Sequence, residues 1–364
     1  HRDLHSFPTR RSSDLDFRQV ITDNEGLVRL VTVLGVSDEM GKLMRFRPEL
    51  VMAAASDSCE SHLYNHAQRR AHVLEAVGAD PVDSRTPKAS KPLAEAATAL
   101  RQTYRKQLAA IMAQDTTAED PIEIQPRISQ ELSDLADAAL EGALAIARNE
   151  VDGSEHVRFA IIGMGKLGAR ELNYVSDVDL IYVVEPADKD TDGMTLNRVG
   201  TKMATTLQRV CQSVIMGVAE PTLWQIDGGL RPEGKDGPLV RKLESHKAYY
   251  EQWAENWEFQ ALLKARPVAG DPDLGQAYMD MTRPFVWTAS KRDNFVYDCQ
   301  QMRKRVEDLI PAPLKDREIK LGRGGLRDVE FTVQMLQLVH GRADETLRTS
   351  STLEIGRASC RERV

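Results

Sequence analysis

Residues 159–185 read FAIIGMGKLGARELNYVSDVDLIYVVE, and the interpretation of this stretch decides the fold. Arg158–Gly163 is a short apolar run with β-branched residues and predicts a strand. Val178–Val184 predicts a second strand, stopped by Pro186. Between them Gly163, Gly165 and Gly168 spell G-x-G-x-x-G, with Glu185 at the end of the next strand, which on paper is a dinucleotide-binding fingerprint. Two physical facts oppose that reading. A parallel crossover needs about a dozen residues or more, normally a helix. The interval from Gly168 to Val178 is shorter and carries Asn173, Ser176 and Asp177, which are poor helix formers. Moreover, a strand covered on both faces is continuously apolar. This one opens Asp177-Val178-Asp179, and an unpaired buried carboxylate is very unfavourable.

The acids themselves suggest another chemistry. Residues i and i+2 of a strand point to one face, so Asp177 and Asp179 project together. Adjacent carboxylates repel, and one pKa rises unless a cation intervenes. Mg²⁺ (or Mn²⁺) takes oxygen ligands and keeps other positions for water or phosphate. A glycine turn upstream brings backbone N–H groups, around Gly165, to phosphate oxygens, and Lys166 adds a point charge. Ser176 either touches phosphate or caps the turn. Glycine turn, spacer and Asp-x-Asp at a strand start resemble the pattern of the polymerase-β-like nucleotidyltransferases. That superfamily adds a third carboxylate on a neighbouring strand, and Asp227, at the end of Thr222–Asp227 (TLWQID), fits it. Asp177, Asp179 and Asp227 are thus the candidate catalytic residues and metal ligands. The implied fold class is α+β: a small mixed sheet with helices, flanked by N-terminal and C-terminal helical regions.

Working outward, the 364-residue chain is long enough for two or three domains of the usual roughly 100–200 residues. Acids outnumber Lys and Arg by 55 to 48, which argues against nucleic acid bound through a basic surface. No apolar run approaches the roughly 20 residues of a membrane span. The four cysteines, Cys59, Cys211, Cys299 and Cys360, form no close pair, which excludes a disulfide scaffold and points to a reducing, cytoplasmic setting. Periodicity and breakers predict helices over Leu93–Met112, Ser129–Asn149, Leu196–Gly217, Ser245–Pro267, from Asp271 through Leu309, and Gly324–His340. The expected organisation is a helical region over 16–150, a nucleotidyltransferase domain over 151–270 and a C-terminal helical domain over 271–353. Tyr249, Trp253 and Trp257 read as a core stripe, and His62 and His66 as a helical pair without partners. The ends 1–15 (HRDLHSFPTRRSSDL) and 354–364 (EIGRASCRERV) are Arg/Ser-rich without apolar periodicity. They resemble conceptual translations of sequencing-adapter DNA and are expected to be non-native, making the chain an internal fragment of a longer protein.

Three longer stretches narrow the family. They are GMGKLGARELNYVSDVDLIYVVEP at Gly163–Pro186, the segment Ile226–Asp271 that opens IDGGLRPEGKDGPLVRKLESHKAYY, and IKLGRGGLRDVEFTVQMLQLVHGR at Ile319–Arg342. All resemble the signature of the bifunctional glutamine synthetase adenylyltransferase/adenylyl-removing enzymes. The resemblance implies Mg²⁺-dependent chemistry, glutamine synthetase as protein substrate, and ATP, ADP and orthophosphate as small substrates or products. It also implies a PII-type nitrogen-signalling protein as partner of the full-length enzyme, which carries two such domains in tandem. ELNYVSDVDLIYV and IKLGRGGLRDVEF are more similar to the N-terminal half, which removes AMP from a tyrosine with orthophosphate and releases ADP. The ATP-dependent transferring half and a catalytically inactive regulatory module remain alternatives. Under this resemblance Arg231 and Lys235, flanking Pro232-Glu233-Gly234, are candidates for holding phosphate, beside Gly165, Lys166 and Ser176. The turn Gly322–Leu326 opens a helix whose Arg327, Asp328 and Glu330 face either the site or a structural ion network. Glu171 reads as structural, paired with Arg170 or Lys166.

Overall fold

The computed structural model describes residues 20, 23–56, 65–315 and 317–355; residues 1–15 and 356–364 of the two ends, with Cys59, His62 and Cys360, lie outside them. The chain starts with helices α1 (Asn24–Val36), α2 (Asp38–Met44), α3 (Pro48–Ala55), α4 (His66–Val77), α5 (Leu93–Thr117) and α6 (Pro121–Glu150). α6 begins at Pro121, well before Ser129. Asp120 caps it by accepting from the N–H groups of Ile122 and Glu123, and Pro121 presets the first turn. From Leu132 to Arg148 every residue of α6 is buried, so this helix is the central column of the molecule. It packs on α4 and α5 on one side and against the sheet on the other.

The sheet has the order β3-β2-β1-β5, with β4 also paired to β2. Its strands are β1 (Val157–Gly163), β2 (Val178–Pro186), β3 (Ile226–Asp227), β4 (Val240–Arg241) and β5 (Arg266–Gly270). Strand β1 is antiparallel to β2. That excludes the parallel βαβ unit of a dinucleotide fold, as the short Gly168–Val178 interval implied. A single helical turn, α7 (Gly165–Gly168), follows β1, and α8 (Gly193–Gln212) follows β2. Strand alternation sorts the side chains between two cores. Val178, Leu180, Tyr182 and Val184 join the core beneath α5, α6 and α8. Ile181 and Val183 join the opposite core, formed with the C-terminal helices. Asp177 and Asp179 share the parity of Ile181 and Val183, so the acids are presented toward those helices.

Several elements depart from the sequence expectation. Only the last two residues of Thr222–Asp227 pair as a strand. The carbonyls of Pro221 and Thr222 accept instead from the Arg105 guanidinium on α5, and that of Glu220 from Arg101. Ser245–Pro267 is not one helix. It comprises α9 (Leu243–Gln252), α10 (Asn256–Leu262) and the start of β5. The break comes at Glu255, which forms a capping box with Glu258. β5 is the strand that periodicity misses, because it is anchored by polar contacts from α6. Arg266 is gripped by both carboxylate oxygens of Asp137 (2.6 and 3.1 Å), and the Gly270 N–H donates to Glu141 Oε2 (2.8 Å). Helices α11 (Pro272–Thr288), α12 (Phe295–Asp308) and α13 (Leu326–His340) complete the cap over the second face. Trp253 is 73% exposed, so the aromatic stripe is not a continuous core. Residues 352–355 form a further helical turn in which Ile355 is buried. Cys211 and Cys299 are free and buried. Among the described residues no helix is long and apolar enough to cross a membrane.

Candidate active site

The three acids meet through the sheet. Asp179 is the register partner of Asp227 on parallel strands β2 and β3, and Asp177 precedes β2 by one residue. Strand β3 is short but firmly placed: the Val178 N–H donates to the Gln225 carbonyl (3.0 Å), and the Ile226 N–H to Gln212 Oε1 at the end of α8 (2.8 Å). The Asp227 carboxylate accepts from the Gly229 N–H (2.7 Å), which holds it at the strand end. Burial together with the neighbouring Asp177 and Asp227 charges raises the pKa of Asp179 to about 6, while Arg327 and Lys320 act in the opposite direction.

The glycine turn serves close approach. Gly165 has φ +55, and a Cβ there would stand 2.6 Å from Asp179 Oδ2. A Cβ at Gly168 would meet the Lys264 carbonyl at 1.7 Å. The turn therefore lies directly against Asp179 on one side and against the α10–β5 connection on the other. Lys166 Nζ lies 3.1 Å from the Asn173 side-chain amide in the orientation that satisfies both amide groups. Ser176 Oγ donates to the Asp177 carbonyl (2.9 Å), the turn-forming role weighed for it above.

A cavity of about 320 Å³ opens between this acidic edge and the helical cap, within the range usual for small-molecule sites. Gly165, Lys166, Ser176, Asp177 and Asp179 line one part of it. Lys320 approaches from the segment leading into α13 and Arg327 and Glu330 from its first turns, while Trp257, Met302, Val306 and Phe331 supply apolar surface. Arg327 and Glu330, linked by a 3.2 Å ion pair, thus face the site. Asp328 does not: it pairs with Arg303 and accepts from the Gly324 N–H, which fixes the Gly-rich turn.

Arg231 and Lys235 border a second hollow, shared with Asp177 and Asp227. The Arg231 guanidinium is committed to carbonyls there, donating to Gly228 (2.7 Å), Lys235 (3.1 Å) and Gly237 (3.1 Å). It shapes the loop after β3, and Lys235 beside it is exposed. Glu171 pairs with Lys264 (2.9 Å) and accepts from the Thr352 N–H (2.6 Å), so neither Arg170 nor Lys166 is its partner. Lys320 and Lys264 were missed by the sequence reading. Lys320 stands just ahead of the Gly322–Leu326 turn, and that proximity was the available signal.

None of Asp177, Asp179 and Asp227 forms an ion pair with a cationic side chain among the described residues. The contrast with the other acidic cluster is informative. His66, Asp134 and Asp137 also converge, and His66 does have a partner, since its Nε2 lies 3.5 Å from Asp137. There, however, Arg266 and Arg170 already supply the balancing charge. Around Asp177, Asp179 and Asp227 no such ion pair forms among the described residues, and Arg327 and Lys320 only partly offset the burial and the Asp177 and Asp227 charges that raise the Asp179 pKa; carboxylate oxygens are the donors that a hard divalent cation takes.

A small mixed sheet that gathers three carboxylates at the start of its central strand, beside a glycine turn and beneath a helical cap, defines a nucleotidyltransferase domain. Comparison with known proteins narrows the class: the model of the Glutamate-ammonia ligase adenylyltransferase family matches residues 27–281, and the chain belongs to that family. A second model, GlnD PII-uridylyltransferase, matches residues 300–360. Curated relatives named bifunctional glutamine synthetase adenylyltransferase/adenylyl-removing enzyme include one from Bifidobacterium longum, 81% identical over 344 residues, which are 94% of this chain and 32% of the relative. Another, from Cutibacterium acnes, is 46% identical over 340 residues, 93% of this chain and 34% of the relative. A third, from Mycolicibacterium smegmatis, is 53% identical over 258 residues, 70% of this chain and 25% of the relative. The chain spans about a third of the length of the first of these relatives.

Proposed function

We propose that this chain is the adenylyl-removing part of a bifunctional enzyme that regulates glutamine synthetase, with adenylylated glutamine synthetase and orthophosphate as substrates and ADP as product. The observation that carries the chemistry is the placement of Asp177 and Asp179 in a nucleotide-sized cavity, with Asp227, the register partner of Asp179, bordering the adjoining hollow that Asp177 shares. The choice of the removing half rests on the likeness of ELNYVSDVDLIYV and IKLGRGGLRDVEF to that half. The match of residues 300–360 to PII-uridylyltransferases supports a PII-type protein as partner of the full-length enzyme. Two buried free thiols, Cys211 and Cys299, support a reducing cytoplasm as its setting.

In this reading Asp177, Asp179 and Asp227 hold Mg²⁺, or Mn²⁺ in its place. When bound, the ion supplies charge neutralisation and orientation for the phosphoryl oxygens. A phosphate oxygen attacks the phosphorus of the tyrosyl-AMP ester in line, the new P–O bond gives ADP, and the bond to the tyrosine oxygen breaks. The leaving phenolate, whose conjugate acid has a pKa of about 10, takes up through solvent the proton that the attacking hydrogen phosphate gives up, and needs no dedicated general acid. The harder task is to hold an anionic nucleophile against an anionic diester. Lys166, Lys320 and Arg327, which face the same cavity, are placed for it. Arg231 acts indirectly by holding the loop beyond Asp227, and Gly165 and Ser176 shape the turn against which phosphate rests.

The test is release of labelled ADP from adenylylated glutamine synthetase with phosphate varied. Phosphate-dependent release supports the proposal. Transfer of AMP from ATP onto unmodified glutamine synthetase, with no response to phosphate, assigns the chain to the transferring half. Absence of both activities assigns it to a regulatory module.

A further inference from the structure

Helix α5 reaches both acid-bearing segments just ahead of their acids. Tyr174 stands three residues before Asp177, and its hydroxyl donates to Asp115 Oδ2 on α5 at 2.8 Å. Trp224 stands three residues before Asp227, and its indole Nε1 donates to Tyr104 Oη on α5 at 3.1 Å, with the two rings edge to face. Tyr104 and Asp115 are eleven residues apart, close to three helical turns, so they share one side of α5 at a separation of about 16 Å. On that side Arg105 also holds the carbonyls of Pro221 and Thr222, and Arg101 that of Glu220. The backbone of the two lead-ins supplies little support of its own. Among the described residues no backbone N–H from Asn173 to Asp177 donates to a backbone carbonyl, and within Thr222–Trp224 only that of Leu223 does, to Cys211. α5 is a firm reference for both, because it packs against α3, α4 and α6.

We infer that Tyr174 and Tyr104 are positioning residues, through which α5 sets the separation of Asp177 and Asp227. Neither tyrosine lines the cavity or the adjoining hollow, so each acts through the acid whose lead-in it anchors. An extended chain advances about 3.3 Å per residue, and an anchor three residues back leaves the acid little slack. A cation shared between carboxylates is sensitive to such slack: losing the groups that orient metal ligands typically lowers metal affinity about ten- to a hundredfold. This inference rests on the reading of the three acids as the cation site.

The experiment is Mn²⁺ titration of the whole chain followed by paramagnetic resonance, with thermal unfolding measured in parallel. Tyr174→Phe keeps the ring and removes the hydroxyl. It should weaken Mn²⁺ binding about tenfold, with Tm changed by no more than about a degree or two. Asp115→Leu should reproduce that loss of affinity, whereas Asp115→Asn keeps an acceptor and should stay within about twofold of the unaltered chain. Tyr104→Phe leaves the buried Trp224 N–H unpaired, so it should lower Tm as well as Mn²⁺ affinity. Affinity within about twofold of the unaltered chain in both tyrosine variants would overturn the positioning role and leave the cation site standing. Equal losses in Asp115→Asn and Asp115→Leu would also overturn it, since the charge of Asp115 rather than its hydrogen bond to Tyr174 would then be at work. Absence of Mn²⁺ binding to the unaltered chain would overturn both this inference and the reading of the acids.

Discussion

Asp179 and Asp227, far apart in the chain, are register partners on the parallel strands β2 and β3, and their carboxylates share one edge with Asp177. Because this negative charge is uncompensated by any ion pair among the described residues, the edge should be the cation site. Mn²⁺ titration followed by paramagnetic resonance should show binding to the unaltered chain and at least tenfold weaker binding to Asp177→Asn/Asp179→Asn. Circular dichroism should confirm that the double variant is folded. Unchanged Mn²⁺ affinity would reduce the pair to a solvated turn.

The cations that face the acids from the cap are Lys320 and Arg327. Replacing either with Ala should raise the phosphate KM and lower kcat/KM in the ADP-release assay. The expected loss is about tenfold to a hundredfold, since each 1.4 kcal/mol of lost transition-state stabilisation is a factor of ten. A change of less than twofold in both variants would remove these side chains from the phosphate-binding role.

Arg231 has a different signature. Its guanidinium is bonded to three carbonyls of the loop after β3. Arg231→Ala should therefore cost stability, about 1–2 kcal/mol given its partial exposure, or a few degrees in Tm. Thermal unfolding by calorimetry distinguishes this from a direct role in phosphate binding, in which the phosphate KM would rise with no change in Tm.

His246 should give the fold an acid-sensitive component. It is fully buried between Tyr250 and Tyr278, its ring nitrogens lack hydrogen-bond partners among the described residues, and Arg241 lies near. Burial lowers its pKa to about 3, which the nearby Tyr182 backbone offsets only in part. The folded chain thus keeps a neutral ring where the unfolded chain takes up a proton near pH 6.5. Its contribution is fully present above about pH 6.5 and is lost as pH falls toward 3, at up to about 1.4 kcal/mol per pH unit for one proton. Comparing Tm against pH for the unaltered chain and His246→Phe should show a shallower acid slope in the variant. Parallel slopes would mean that His246 does not titrate on unfolding.

Much of this architecture is legible in the sequence because it rests on local periodicity and on chemistry that tolerates few substitutes. The apolar runs of β1 and β2, the glycines that admit close approach at Gly165 and Gly168, and the Asp-x-Asp spacing all act over a few residues. They sufficed to reject a dinucleotide fold and to expect the three-acid edge. The tertiary structure decided what depends on distant partners. Thr222–Trp224 lacks strand pairing because α5 arginines engage the carbonyls just before and at its start, whereas β5 is a strand because Asp137 and Glu141 of α6 reach across to it. Arg231 and Lys320 look alike in sequence, each a cation near glycines. Only the folded chain commits one to backbone carbonyls and turns the other toward the acids. A side chain's partners are set by which helices pack over it, and no local pattern encodes that.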